Sequence, residues 1–469
     1  MSNIPVSMKF VDREEELEAL GEAYSSGRAE LVVLYGRRRV GKTFLLSFFA
    51  RERGAVYLVV NYSDRELALR DLVDQLLAQV ELPYPPRVDS FTQLYELLAR
   101  LGRRLVVVDE FQRLHGTGGV QELQSAWDRL LSRSGLMLVL SGSSVGMMER
   151  IGLSAESPLY GRATRVLHVK PLGYREARAF MPGYAEEDRV RGYAVFGGTP
   201  GYLALLDEGS GLLDNIVSLV LRPGAPLREE PRVLLSMELR EPSRYLEVLR
   251  AVAGGATRLG EIADKSGVKA SEVGKYLRVL ERELGLVERR YPLLEEGRRG
   301  RARYYLADNF FRFWFSMVFP YRPLLELGLY REVAGKIWAG IDSYASHAFE
   351  EVAMQHFALL ARRGAASFTR IGRWWRGDVE IDFVAVDEET GTAYFAEAKW
   401  SGKPVDRRVL YRLAAKAQEF PWRKGSRREV YVLYSRSGFT FEGDGEVWLF
   451  TLGDVKKLFE KEAPRVEWF

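Results

Sequence analysis

Two places in the sequence set a lysine among carboxylates at spacings that suit phosphate chemistry. The first is YGRRRVGKT, Tyr35 to Thr43. It fits the spacing G-x-x-x-x-G-K-S/T through Gly36, Gly41, Lys42 and Thr43, with Arg37, Arg38, Arg39 and Val40 in the variable span. Glycines so placed let backbone N–H groups close around phosphate oxygens where a helix begins, here just before Phe44. A lysine at this position reaches the β- and γ-phosphates, and the threonine ligates magnesium. The run LVVVDEFQ, Leu105 to Gln112, supplies the matching acids. Asp109 falls at the carboxyl edge of an aliphatic strand, where it holds magnesium through water. Glu110 beside it is a general base for the attacking water. ATP or ADP with Mg2+ is the ligand this pattern calls for.

The second place is DVEIDFVAVDEETGTAYFAEAKWS, residues 378–401. Asp382 interrupts a β-branched run, DEETG makes a turn, and Glu397 and Lys399 follow two residues apart, on one face of a strand. Asp382 and Glu397 can bind Mg2+ or Mn2+ with a water, and Lys399 can orient that water near a scissile phosphate. Charged pairs on a strand also occur as a plain solvated face. The apolar surroundings favour a site.

Weaker candidates lie between. GLMLVLSGSS (135–144) reads as a third buried strand whose Ser141 and Ser143 sit where a γ-phosphate would be sensed, or simply form a turn. Arg162 stands in a polar turn, either as an arginine finger or as surface charge. Three amphipathic segments (244–255, 257–268, 269–285) suggest a helix-turn-helix with Ser271 as N-cap and Lys275, Tyr276 and Arg278 on the recognition segment. Residues 286–308 read as two strands around a basic loop bearing Arg298, Arg299, Arg301 and Arg303. Together they look like a winged helix whose wing meets phosphate backbones of duplex DNA with little sequence information. A protein-contact or nucleotide-responsive role is the alternative.

These elements need a long, many-domain chain, and the composition supplies one. At 469 residues with 47% hydrophobic content it can bury several cores. ELVVLYG (30–36) is a buried parallel strand, and TFLLSFFARER (43–53) has helical spacing. Zero cysteines exclude disulfides and thiolate metal sites, and His115, His168, His347 and His356 are too scattered for a zinc site. The net charge of +4 is only a weak pointer to nucleic acid, and the Glu/Arg-rich balance suits a thermophile. No run is long enough to span a bilayer, and the amino terminus lacks a secretory segment, so a cytoplasmic location without a membrane partner is expected. The aromatic stretch 310–325 carries Arg312 and Arg322 and reads as a packed interdomain helix.

FVDREEELEAL (10–20), YGRRRVGKT, LVVVDEFQ, LSGSS, SPLYGRAT, KPLGYREA (170–177) and FGGTPGYLALL (196–206) occur in an order that resembles the archaeal ATPase family within the STAND/AAA+ branch of P-loop NTPases. The resemblance covers roughly the first half of the chain. It implies that Phe10, Val11, Asp12 and Arg13 lie on one side of the adenine and Pro200 on the other, in a small domain that closes over the nucleotide. Triple arginine in the loop is a habit of that family, and one of the three is expected to brace a closed interface or an acidic neighbour. The carboxyl-terminal pattern resembles the restriction-endonuclease-like superfamily, marked by a helix glutamate and then D…E-x-K. Glu350, Asp382, Glu397 and Lys399 match it, with Gln418 as a supporting polar residue.

The expected fold class is multidomain α/β. A P-loop parallel-sheet ATPase core spans 1–170, a helical lid 171–235, a winged helix 236–310, a helical connector 311–341 and a nuclease-like α/β domain 342–469. The expected function is an ATP-binding and ATP-hydrolysing DNA-processing protein, with a nucleotide switch and winged helix directing a metal-dependent phosphodiesterase. An ATP-gated DNA-binding or signalling module with an inactive nuclease-like domain stays open beside it, as does a homo-oligomer.

Overall fold

In the computed structural model, which describes residues 9–468 other than 85, 103, 153–156 and 299, the chain opens with the short strand β1 (Lys9–Val11). Aliphatic runs then form β2 (Glu30–Tyr35), β3 (Val56–Val59), β4 (Leu105–Asp109), β5 (Met137–Gly142) and β6 (Arg165–His168). These five are parallel, in the order β3-β4-β5-β2-β6. Helices cover both faces, which is why β2, β4 and β5 are buried along their whole length. The parallel arrangement brings the carboxyl ends of β2, β4 and β5 to one edge of the sheet, and the loop of Gly36 to Gly41 leaves from that edge.

Beyond β6 the chain is helical, with segments at Glu186–Phe196, Leu212–Ile216 and Glu230–Glu238. Three further helices, Pro242–Ala253, Leu259–Ser266 and Ala270–Arg278, precede the antiparallel pair β7 (Val287–Arg290) and β8 (Arg303–Leu306). The third helix begins at Ala270 with Lys269 as its uncapped N-cap. Ser271 is therefore inside the helix and does not cap it. The aromatic stretch is buried through Phe310, Phe311, Phe313 and Trp314. Among the described residues no helix is long and apolar enough to cross a membrane.

One 33-residue helix, Tyr330–Arg362, then runs straight through the expected boundary at 341/342. Val333, Ile337, Ile341, Ala345, Ala348 and Val352 keep a buried stripe at helical spacing across it, so nothing in the backbone stops the helix there. It packs on a mixed sheet of β9 (Arg370–Arg376), β10 (Val379–Asp387), β11 (Thr392–Lys399), β12 (Arg428–Ser435) and β13 (Val447–Thr451), ordered β13-β12-β11-β10-β9. The turn at 388–391 joins β10 and β11 as an antiparallel hairpin, whereas β11, β12 and β13 are parallel. The last strand, β14 (Val466–Trp468), returns to pair antiparallel with β1. One buried apolar cluster extends from Leu172 through the helical region and the β7/β8 module to Phe459, so these parts share a core.

Candidate functional site

At the carboxyl edge of the first sheet lies a cavity of about 450 Å³ lined by Lys42, Thr43, Phe44, Glu110, Ser143 and Pro200 among others. Gly36 and Gly41 are required here for different reasons. A Cβ on Gly36 would strike the Val169 carbonyl, and Gly41 holds φ at +93°. Lys42 donates to the carbonyls of Gly36 and Arg37, both at 2.8 Å, so the loop is closed on its own lysine. Burial pulls the Lys42 pKa down to about 8 against the opposing pull of Asp109 and Glu110. Asp109 is buried and accepts hydrogen bonds from Thr43 Oγ1 at 2.7 Å and Tyr57 Oη at 2.9 Å. Glu110 sits in the left-handed region at φ 54° and accepts from Gln112 Nε2 at 2.6 Å and Ser143 Oγ at 3.1 Å.

Of the two serines, Ser143 therefore reaches the cavity. Ser141 is fully buried in β5, and its hydroxyl has no hydrogen-bond partner. Phe10, Val11 and Arg13 are buried outside the cavity lining. Phe10 stacks on Phe48, and Arg13 holds the carbonyls of Val40 and Lys170. Asp12 is paired with Arg175 at 3.2 Å. Arg162 is turned away and forms a two-point pair with Asp128, each contact 2.8 Å. Within its own chain it is not brought to the cavity. Sequence reasoning missed Tyr57 and Gln112, whose roles depend on a strand pairing and a turn that no local pattern announces.

The three loop arginines all have acidic partners, where only one was expected to. Arg37 reaches Asp308 at 2.6 Å and Thr199 at 3.2 Å. Arg38 pairs with Glu238, and Arg39 grips Glu230 at 2.6 and 2.7 Å beneath the Tyr202 ring. Burial pushes the Glu230 carboxyl up despite Arg39. Asp308 is only 3% exposed and also caps the helix Asn309–Phe313, accepting from the Phe311 amide. The phosphate loop is thus tied to the helical region by two pairs and to the exit of the β7/β8 module by the third.

In the carboxyl-terminal sheet, the register of β10 on β11 pairs Phe383 with Ala396, so Asp382 and Glu397 come next to each other at the following position. Asp382 Oδ2 accepts from the Ala398 amide at 2.8 Å. Lys399 donates to Glu397 Oε1, and Lys416 from the helix Arg407–Ala417 donates to Glu397 Oε2 at 2.9 Å. Glu350, on the long helix, faces the group and is held by Arg373 of β9 at 2.7 Å. Burial, then repulsion from Glu350 and Glu397, raises the Asp382 pKa well above the ordinary carboxylate range. Burial opposes the charge of Lys399, but Glu397, Asp382 and Glu350 outweigh it and its pKa rises. Among the described residues no group of three or more acidic or histidine side chains stands ready to hold a metal ion.

Gln418 is a correction. It ends its helix exposed and points at Glu429. Lys416, two residues earlier, is the polar side chain of this helix that reaches the group, at Glu397. The helical phase decides this, since positions two apart face different ways.

The basic wing is only partly free. Arg303 is spent inside the molecule, pairing with Glu380 at 3.2 Å and lying 4.8 Å over the Trp375 ring. Leu293 adds a backbone bond to Arg373, which docks the wing on β9. Arg301 pairs with Glu295 at 3.2 Å. Arg298, Lys275 and Arg278 are exposed, and Arg299 lies outside the described residues.

Comparison with known proteins accords with this architecture. Residues 10–206 match an ATPase domain predominantly from Archaea, 242–290 an IclR helix-turn-helix domain, and 314–410 a group of archaeal and bacterial proteins of unknown function. An uncharacterized protein of Methanocaldococcus jannaschii is 33% identical over 408 residues, covering 86% of this chain and 90% of its own length. An uncharacterized ATP-binding protein of the same organism is 50% identical over 44 residues, 9% of this chain and 75% of its own. Among solved structures, the Walker-type ATPase of Pyrococcus abyssi aligns with a TM-score of 0.51 at 24% identity, covering 65% of this chain and 96% of its own. That likeness is one of fold.

Proposed function

The chain belongs to this family of archaeal ATPases, and from that premise we propose that ATP binding and hydrolysis at its first sheet govern a DNA-directed, metal-dependent phosphodiesterase in its carboxyl-terminal sheet. In the ATPase site, Lys42 would exchange its two carbonyl partners for the β- and γ-phosphates. The oxygens of Thr43 and Asp109, 2.7 Å apart, fit a hard cation such as Mg2+. Glu110, released by Gln112 and Ser143, would take the proton of the attacking water.

The observation that carries the phosphodiesterase reading is the convergence of Asp382, Glu397, Glu350 and Lys399 from two strands and a helix. Repulsion of Asp382 by Glu350 and Glu397 outweighs the attraction of Lys399, and a cation would relieve it. Asp382 and Glu397 would hold Mg2+ or Mn2+, with the remaining positions left to water and substrate phosphate. When bound, the ion would supply an activated water and neutralise charge on the phosphate. Lys399 would position the water, and Lys416 would keep Glu397 oriented. The exposed Lys275, Arg278 and Arg298 of the helix-turn-helix region would meet the DNA backbone.

A second reading, an ATP-gated DNA-binding module that does not cut, is favoured by one observation. Lys399 and Lys416 already neutralise Glu397, and Arg373 neutralises Glu350. The test is incubation of the pure protein with duplex, branched and single-stranded DNA plus Mg2+ or Mn2+, with and without ATP. The wild type should cleave at least one substrate, and Lys399→Ala should not. Lys42→Ala should cut without responding to ATP. Cleavage of none of them leaves the second reading.

A further inference from the structure

We propose that the groove beside Lys399 is a seat for an unpaired DNA strand, with Tyr411 as the platform on which one base stacks. The inference rests on the phosphodiesterase reading of Asp382 and Lys399 and adds the form of substrate that site accepts. The groove has a volume of about 660 Å³ and is lined by Lys399, Lys403, Tyr411 and Arg412, and by Arg408 paired with Asp406 at 2.6 Å. Its far wall is the helix Arg407–Ala417, in which Arg408, Tyr411 and Arg412 share one face at i, i+3 and i+4. The opposite face of that helix buries Leu413 and Ala417, so the basic face is fixed outward.

Three features select the ligand. The first is unspent charge: among the described residues Lys403 and Arg412 form no ion pair, whereas Lys416 on the same helix is taken up by Glu397. Cations in a groove that leads to a hydrolytic lysine favour a polyanion that is itself the substrate. The second is Tyr411, which lines the groove and is 63% exposed. An aromatic ring left in water among cations costs solvation unless something flat covers it, and an unpaired base has the shape to do so. The third is width. The bases of a duplex are stacked on one another and present only edges and backbone, so Tyr411 has no purchase on an intact helix. Phosphates on Lys403 and Arg412, one base on Tyr411 and the next phosphodiester at Lys399 make a single path, beside Arg408, which is held by Asp406.

The test uses the full chain in EDTA, so that binding is read without cleavage. A short DNA strand carrying one 2-aminopurine is titrated with protein, and its fluorescence and anisotropy are followed beside those of the matching duplex. The expected result is quenching on binding, lost in Tyr411→Ala and kept in Tyr411→Phe, with single-strand affinity about tenfold weaker in the alanine variant. Duplex affinity should change little. Arg412→Ala should lower the slope of log affinity against log salt by about 0.7 for the single strand. Unchanged quenching and affinity in Tyr411→Ala overturn the proposal, and so does equal displacement of the strand by polyglutamate. Failure of the two readings is separable: binding that depends on Tyr411 without cleavage by the wild type removes the hydrolytic reading alone. Cleavage that Asp382→Ala abolishes and Tyr411→Ala leaves untouched, with quenching unchanged, removes the groove alone.

Discussion

The two lysines at the two sites are displaced in opposite directions, and each displacement names the charge its site lacks. Lys42 is buried against backbone carbonyls, and its pKa falls to about 8 because the surrounding acids do not compensate the lost water. Lys399 lies among three carboxylates that raise its pKa, while the innermost of them, Asp382, is driven up by its neighbours. The first site is prepared for an anion. The second, on the proposed function, would take a cation. Both sites set a lysine near an aspartate and a glutamate, and what distinguishes them is the neighbour of the lysine: backbone carbonyls around Lys42 and a carboxylate against Lys399.

The largest expected effect tests the first half of this contrast. Lys42→Ala should reduce the steady-state rate of phosphate release from ATP by about 10²–10³-fold, as loss of one donor at a developing charge does elsewhere. Retained hydrolysis would mean that Lys42 belongs to the loop's own closure and not to the nucleotide. Next in size is the latch beside it. Arg37→Ala strands the buried Asp308 and should cost about 3 kcal/mol in denaturant unfolding. Arg38→Ala and Arg39→Ala, with more exposed side chains, should cost about 1 kcal/mol or less. Equal losses for all three would show that the arginines act as one charged patch and not as separate latches.

The sequence made the membership of both residue groups readable because each is carried by a local pattern: strand, glycine loop and helix around Lys42, and a hairpin around Asp382 and Glu397. What escaped it depends on contacts between residues far apart in the chain. The partners of Arg37, Arg38 and Arg39 lie 191 to 271 residues away, so their types were visible and their pairing was not. The wing was legible as a basic hairpin, yet Arg303 is used against Glu380 and Trp375, because the hairpin docks on β9. The boundary at 341/342 was inferred from a change of texture, but an unbroken apolar stripe carries one helix through it. Lys416 escaped because its meaning comes from helical phase against a strand, which is fixed only once the helix Arg407–Ala417 is packed.

The second half of the contrast has a pH signature. Asp382 has a folded-state pKa raised above its unfolded value, so its penalty is absent below about pH 4 and grows as pH rises toward the folded value. Above that value the penalty is constant. Asp382→Asn removes it, and in EDTA should stabilise the protein by on the order of 1–3 kcal/mol at about pH 8 and by little at about pH 4. Thermal melts of both proteins across that range read the difference directly. Mn2+ should shrink the gap by stabilising the wild type alone. A gap independent of pH would remove the argument that carboxylate repulsion marks a cation site.

The smallest effect asks whether the two sites sense each other. Lys9 is the hinge of the question, since it lines the nucleotide cavity and belongs to β1, whose partner β14 closes the carboxyl-terminal part of the chain. Its ammonium pairs with Glu208 and stands 5.1 Å from the centre of the Trp468 ring, which is 61% exposed. An exposed cation–π contact contributes about 0.5–1 kcal/mol, too little to hold the strands together and enough to bias where Lys9 points. Trp468→Ala should therefore leave the melting temperature nearly unchanged while shifting the Kd for ATP by about two- to fivefold. Isothermal titration of wild type and variant measures that shift, and Trp468→Phe should recover part of it because a phenyl face still attracts the ammonium. An ATP affinity unmoved by all substitutions at Trp468 would leave β14 as a clasp that joins the ends of the chain and carries no signal between the cation-poor and anion-poor sites.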